Sequence, residues 1–188
     1  VRDNPQDAWR PIKVGQRLNA GQTVRTQAGS QTGLLLRDQT QIRVNEQSTL
    51  VVRAVAADGQ GSTLDLLGGR IWAQVKQTVT GGLRALTKVI NTTSREPVVR
   101  INTPTATVGI RGTDWELVVA DGGESTVTVF SGEVDMSNPQ GSVSVGPTVI
   151  LRIDAPEAPP DGPVVRLAPQ DATAGAPIRV LESRCDAH

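Results

Sequence analysis

Apolar and polar residues alternate in short runs along most of the chain. Leu34 and Leu36 are set two apart, as are Ile42 and Val44, Leu50 and Val52, and Leu64 and Leu66. The same spacing recurs at Val108 and Ile110, then at Trp115, Leu117 and Val119. It continues through Val127 and Val129, Val143 and Val145, and Val149, Leu151 and Ile153. A period of two predicts strands with one face buried and one face wet, and the Val, Ile, Thr and Leu content suits strands.

Turn chemistry falls between the runs. Asn19-Ala20-Gly21, Asp58-Gly59, Gly68-Gly69, Asp121-Gly122-Gly123 and Asn138-Pro139-Gln140-Gly141 tolerate positive φ or preset a bend. Arg37-Asp38-Gln39-Thr40 stands where a short hairpin turn belongs. Helix is scarce. Gly82 to Asn91 carries Leu83, Leu86 and Ile90 at helical spacing, and an irregular loop is the other reading of that stretch. The expectation is an all-β fold: a twisted, solenoid-like β roll or a two-sheet sandwich made of two related β units.

The two units come from a repeat. Placing residues 57–73 over 120–136, at an offset of 63, aligns Ala57-Asp58-Gly59 with Ala120-Asp121-Gly122, Ser62-Thr63 with Ser125-Thr126, and Gly69 with Gly132. Leu64, Leu66, Leu67 and Ile71 fall on Val127, Val129, Phe130 and Val134. Six of 17 positions are identical without a gap, where chance gives roughly one. One such unit cannot cover its own apolar face, so the two are expected to share a core.

After Ile153 the character changes. Six prolines between Pro156 and Pro177 deny backbone donors to a sheet interior. The organisation expected is a β domain over 1–154, a Pro-rich linker or edge-running tail over 155–177, and the start of a further element over 178–188. Val164, Val165 and Leu167 could lay a short strand against the body. The chain opens on Val1 rather than Met, which fits either a trimmed or a processed protein.

Composition narrows function by exclusion. Nineteen basic residues balance 19 acidic ones, and aromatics make up 2% of the 188 residues, so neither a basic footprint nor a stacking platform for nucleic acid exists. The core must be aliphatic. One Cys, Cys185, allows neither an internal disulfide nor a Cys-based zinc site, and no apolar run approaches the length of a membrane span. The single His, His188, lies at the C-terminal end, so no His base serves the β domain. No catalytic residue, metal or cofactor is assigned. Asp114 and Glu116, two apart on a strand, read as surface acids rather than a glycosidase pair. Asp121-Gly122-Gly123-Glu124 lacks calcium-loop spacing.

The run from Arg100 to Trp115, Arg-Ile-Asn-Thr-Pro-Thr-Ala-Thr-Val-Gly-Ile-Arg-Gly-Thr-Asp-Trp, closely resembles the signature of the FecR domain family. Val127 to Val134 resembles that family's following strand pair around Gly132. Val14-Gly15, Gly21, Arg25-Thr26, Leu34 to Asp38 and Gly69-Arg70-Ile71-Trp72 resemble its earlier blocks. The likeness covers residues 10–146. It departs at Asp38-Gln39, where relatives place Asp-Gly, and in a long insertion from Thr78 to Glu96.

The resemblance implies a non-enzymatic interaction or sensor module in the periplasm or at the cell surface. In the best-known members a cytoplasmic anti-sigma segment and one membrane helix precede the domain, which takes its signal from a TonB-dependent transporter. Neither segment occurs in this sequence, and other members lack both. A protein partner in envelope signalling is therefore the leading expectation. A glycan-binding or envelope-anchoring module, which exposed Trp9 or Arg111 would favour, is the alternative.

The motif residues Thr103, Pro104, Thr105, Gly109, Arg111, Gly112, Thr113, Asp114 and Trp115 are the candidate site, with a structural or a partner-binding role. Pro104 fixes its own φ and pushes Thr103 to extended backbone. Gly109 and Gly112 permit close approach or positive φ around Arg111, whose guanidinium could meet Asp114, Glu116 or turn carbonyls. Trp115 and Trp72 are expected in the core, and Trp9 is expected to cap an open end, an interface being the other reading.

Overall fold

The computed structural model describes residues 1–36, 40–55, 61–75, 99–156 and 165–166. Among them there is no helix and 58% are in strands, so the all-β expectation holds. No helix there is long and apolar enough to cross a membrane. The helical candidate at Gly82 to Asn91, the insertion from Thr78 to Glu96 and the Asp58-Gly59 turn lie outside the described residues.

Eleven strands follow in order: β1 (Thr23–Arg25), β2 (Thr32–Leu35), β3 (Thr40–Val44), β4 (Thr49–Ala54), β5 (Ser62–Val75), β6 (Val99–Asn102), β7 (Thr107–Val119), β8 (Ser125–Asn138), β9 (Gly141–Val145), β10 (Val149–Ile153) and β11 (Val165–Arg166). All belong to one connected sheet along β1-β4-β5-β6-β7-β8-β10-β11, with β2 and β3 joined to β5 and β9 joined to β8. Because β5 pairs with both β6 and β7, and β6 with β7, the strands close into a barrel-like arrangement of five with further strands outside it. That connectivity is closer to a roll than to two separate sheets. The short β11 confirms the strand expected near Val165, which pairs with Ile150.

The repeat is a structural one. Shifting β5 by 63 places its two ends on those of β8. Each long strand is flanked on both sides, and its partners change midway. Leu64 stands between Val52 of β4 and Ile101 of β6, and Ile71 between Val44 of β3 and Leu117 of β7. At the equivalent places Val127 stands between Leu117 of β7 and Leu151 of β10, and Val134 between Ile110 of β7 and Val145 of β9.

The inward positions explain why a glycine sits at the centre of each copy. In β5 they are Leu64 and Leu66, then Ile71 and Ala73; in β8 they are Val127 and Val129, then Val134 and Met136. The run passes from even to odd in one and from odd to even in the other. A one-residue slip turns every side chain to the opposite face, so an extra residue must be absorbed to keep both halves of each strand facing the core. Gly69 at φ 94° and Gly132 at φ 80° absorb it. The expected turn at Gly68-Gly69 is thus a bulge inside a continuous strand, while Asp121-Gly122-Gly123 does form a turn, closed by Gly123 N–H to Ala120 C=O at 2.9 Å.

Both bulges are locked by a hydroxyl. Ser48 Oγ donates to the carbonyl of Arg70 at 3.1 Å and accepts from its N–H at 2.9 Å. Thr113 Oγ1 donates to the carbonyl of Glu133 at 3.0 Å. Arg70 and Glu133 are related by the same offset of 63. The aliphatic core then runs without interruption through both units, from Ile42 and Leu50 to Leu151 and Ile153, with Trp115 as its largest member.

Candidate functional site

The motif residues divide between two places. Thr103 to Ala106 form the turn from β6 into β7. Thr103 N–H donates to the Ala106 carbonyl at 2.8 Å, and Ala106 N–H donates to Thr103 Oγ1 at 3.0 Å. The buried Thr105 hydroxyl meets Ser125 Oγ at 2.5 Å, and Ser125 Oγ donates to Thr103 Oγ1 at 2.7 Å. Three hydroxyls from the turn and the start of β8 are therefore spent on one another, while Pro104 beside them is exposed. This corner is a clasp between β6, β7 and β8.

Gly109 lies in β7 opposite Arg100 and Asp135, and it is not among the described glycines with positive φ. Arg111 pairs in register with Glu133, and between Arg111 and Asp114 the β7–β8 register shifts at a bulge that takes in Gly112. The side chain of Arg111 lies outside the description, so its expected pairing with Asp114 or Glu116 does too. Thr113 is buried at the bulge and Trp115 is fully buried beyond it. Six residue steps along the extended strand separate Thr107 from Thr113, roughly 20 Å. The motif does not converge on one pocket.

Asp114 opens a second feature on the outer face of β3, β5 and β7. Trp72 was expected in the core, yet it is half-buried here, with the Arg43 guanidinium 5.7 Å from its ring centroid. Its indole N–H donates to the Asp114 carboxylate, which tends to lower that group's pKa, but burial outweighs this and pushes the pKa above the ordinary aspartate value. Asp114 Oδ1 and Arg43 Nε are buried without a hydrogen-bond partner. Glu116, two residues on, faces Arg70 at 3.5 Å. A row of Arg43, Trp72 and Asp114 thus crosses three strands, because register places Arg43 beside Trp72 and Trp72 diagonal to Asp114.

Trp9 is the clearest departure from expectation. It does not cap an end of the core; it is 40% exposed. Arg2 stands over its ring with the guanidinium carbon 4.5 Å from the centroid, and Arg25 approaches to 5.9 Å. The three line an open groove of about 560 Å³ with Thr26, Gln47 and Asp121 among its walls. Alternation could not reveal this groove, because Arg2 and Trp9 lie in a segment without period, and Arg25 reads as one more outward strand residue. Among the described residues no cluster of His, Cys, Asp and Glu could hold a metal ion.

An all-β chain of two bulged, hydroxyl-locked units around one aliphatic core defines a structural class with solved relatives. Two crystal structures described as a "putative anti-sigma factor" from Parabacteroides distasonis ATCC 8503 are similar in fold, with TM-scores of 0.56 and 0.55 at 13% and 12% identity. Each match covers 78% of this chain and 59% of that one, so the chain spans about three fifths of those proteins' length. No curated protein matches the sequence. The family described as FecR protein matches residues 22–135, more than half of the chain, and the chain belongs to that family.

Proposed function

We propose that the chain is the exported sensing module of a FecR-type regulator and that it works by binding another protein, without catalysis. The family match over residues 22–135 carries this reading, since it spans the repeat and the Thr103 to Trp115 corner together. The fold likeness to anti-sigma factors supports a place in transcriptional signalling. The chemistry of the surface agrees with it. The polar groups of the motif turn are consumed by the fold, whereas short strands such as β2, which among the described strands pairs with β3 alone, leave backbone groups for an incoming segment.

Two measurements test the reading. The chain, expressed with its native flanking sequence in its own host and fused to alkaline phosphatase, is expected to give enzyme activity, which develops outside the cytoplasm. Crosslinking in envelope fractions is expected to join it to a protein that competes with the purified domain. An inactive phosphatase fusion, or recovery of polysaccharide alone, overturns the proposal.

A further inference from the structure

Edge strands normally carry charges, prolines or bulges that discourage a further strand. β2 reads Thr32-Gly33-Leu34-Leu35 and has none of these, and its register with β3 is regular throughout. Leu34 and Leu36 pack against the core, so Gly33 and Leu35 face outward. Both are exposed, Leu35 at 65%. Their backbone groups are turned the same way. Leu36 N–H donates to the Thr40 carbonyl at 2.9 Å. Antiparallel pairing alternates, so Leu34 and Thr32 bond to β3, while Gly33 and Leu35 point their own N–H and C=O to the other side. Among the described strands none pairs with β2 on that side.

An unpaired charge stands next to this edge. Arg43 lies opposite Gly33 on the same outer face. It is half-buried, its Nε has no hydrogen-bond partner, and among the described residues it makes no ion pair. Its guanidinium lies 5.7 Å from the Trp72 ring centroid. The nearest acids of that face are occupied elsewhere: Asp114 accepts from the Trp72 indole, and Glu116 faces Arg70. A ring contact uses the flat face of a guanidinium and leaves its N–H fork for a carboxylate. Gly33 keeps the way to that fork open. A Cβ at Gly33 would meet nothing within 4 Å, so no side chain stands between the free edge and Arg43. Glycine inside a strand is costly and marks places where another chain comes close.

We infer that β2 is a docking edge for an extended segment of a partner protein in which an apolar residue stands two positions before a glutamate. Added antiparallel, that segment sets its apolar side chain beside Leu35 and its glutamate beside Gly33. From there the carboxylate reaches over the bare glycine to the Arg43 guanidinium. Charge complementarity selects this occupant over a second copy of the chain, whose own Thr32 to Leu35 strand would bring no carboxylate to Arg43. The inference deepens the proposed function, from which it takes that the partner is a protein, and its test does not depend on export.

The probe is a fluorescent peptide, Thr-Ser-Val-Thr-Glu-Ser-Thr with blocked ends, titrated with the purified chain and followed by anisotropy. Replacing its Glu by Lys is expected to weaken binding roughly tenfold or more, the scale of one charge-assisted hydrogen bond. Methylating the backbone nitrogens of its Val and Glu, which face the edge, is expected to abolish binding. Arg43→Gln should lower affinity for the Glu peptide by a similar factor and erase its advantage over the Lys peptide. Gly33→Val tests the open lane without loss of the fold. Its Cβ meets nothing and Val suits a strand, so the thermal midpoint should not fall, while the advantage of Glu over Lys disappears. Equal binding of the Glu and Lys peptides by the parent, binding of neither, full binding of the methylated peptide, or an unaltered affinity in Arg43→Gln overturns the site. So does a dimer of the chain that Leu35→Asn dissolves. Any of these with protein crosslinking intact moves the docking surface elsewhere and leaves the sensing role standing. Selective peptide binding with crosslinking lost supports the edge and overturns the sensing role.

Discussion

At the scale of single residues, Asp114 shows how a motif position can be costly as well as structural. Burial disfavours its charge, and the hydrogen bond from the Trp72 indole offsets this only in part, so its pKa lies above that of an unfolded aspartate. The folded chain then binds this proton more tightly than the unfolded one. Its contribution favours the fold below the ordinary carboxylate range and is lost as pH rises through the raised pKa. Asp114→Asn keeps an acceptor for Trp72 and removes the charge. The variant is expected to be more stable than the parent at neutral pH, with the gap closing as pH falls into the carboxylate range. Urea midpoints across that range check it; a variant less stable at pH 7, or a gap independent of pH, would contradict the account.

At the scale of elements, the glycine bulges are what allow two strands of this length to serve the core along their whole extent. A Cβ on Gly69 would come 2.5 Å from Ser48 Cα, on top of its left-handed φ of 94°. Gly69→Ala is therefore expected to lose roughly 2–4 kcal/mol from strain and overlap together, measurable by chemical denaturation. Ser48→Gly, which clears the side-chain part of the overlap but not the Cα, should not rescue it. Much of this was legible in the sequence: the offset of 63, the alternation on each side of Gly69 and Gly132, and the family signature. What alternation could not separate was a turn from a bulge at Gly68-Gly69, since both call for positive φ. Nor could it separate the core position of Trp115 from the surface row of Trp72, since both occupy strand patterns and only the pairing decides which face is wet. The Arg2, Trp9 and Arg25 groove was out of reach for a different reason. It joins residues brought together by one backbone bridge, from Arg2 to Thr23, that no local pattern encodes.

At the scale of the whole molecule, the two units cannot be independent. Ile71 of the first copy packs in register with Leu117 on β7, and Leu117 is in turn paired with Val127 of the second copy. β7 thus belongs to both, and the fully buried side chains on either side of it form one cluster. Loss of either copy would expose the apolar face of the other, which makes partial unfolding unfavourable and favours a single cooperative transition. Two single-tryptophan variants separate the alternatives, one keeping Trp72 on β5 and one keeping Trp115 on β7. In each variant the midpoint of tryptophan fluorescence should coincide with that variant's own loss of strand signal in circular dichroism. Leu66→Ala, a buried truncation in the first copy, should cost about 2–5 kcal/mol and shift both reporters together. If Trp72 responded to Leu66→Ala while Trp115 kept its midpoint, the halves would be separate folding units. The shared strand would then be a contact between them rather than the frame on which both are built.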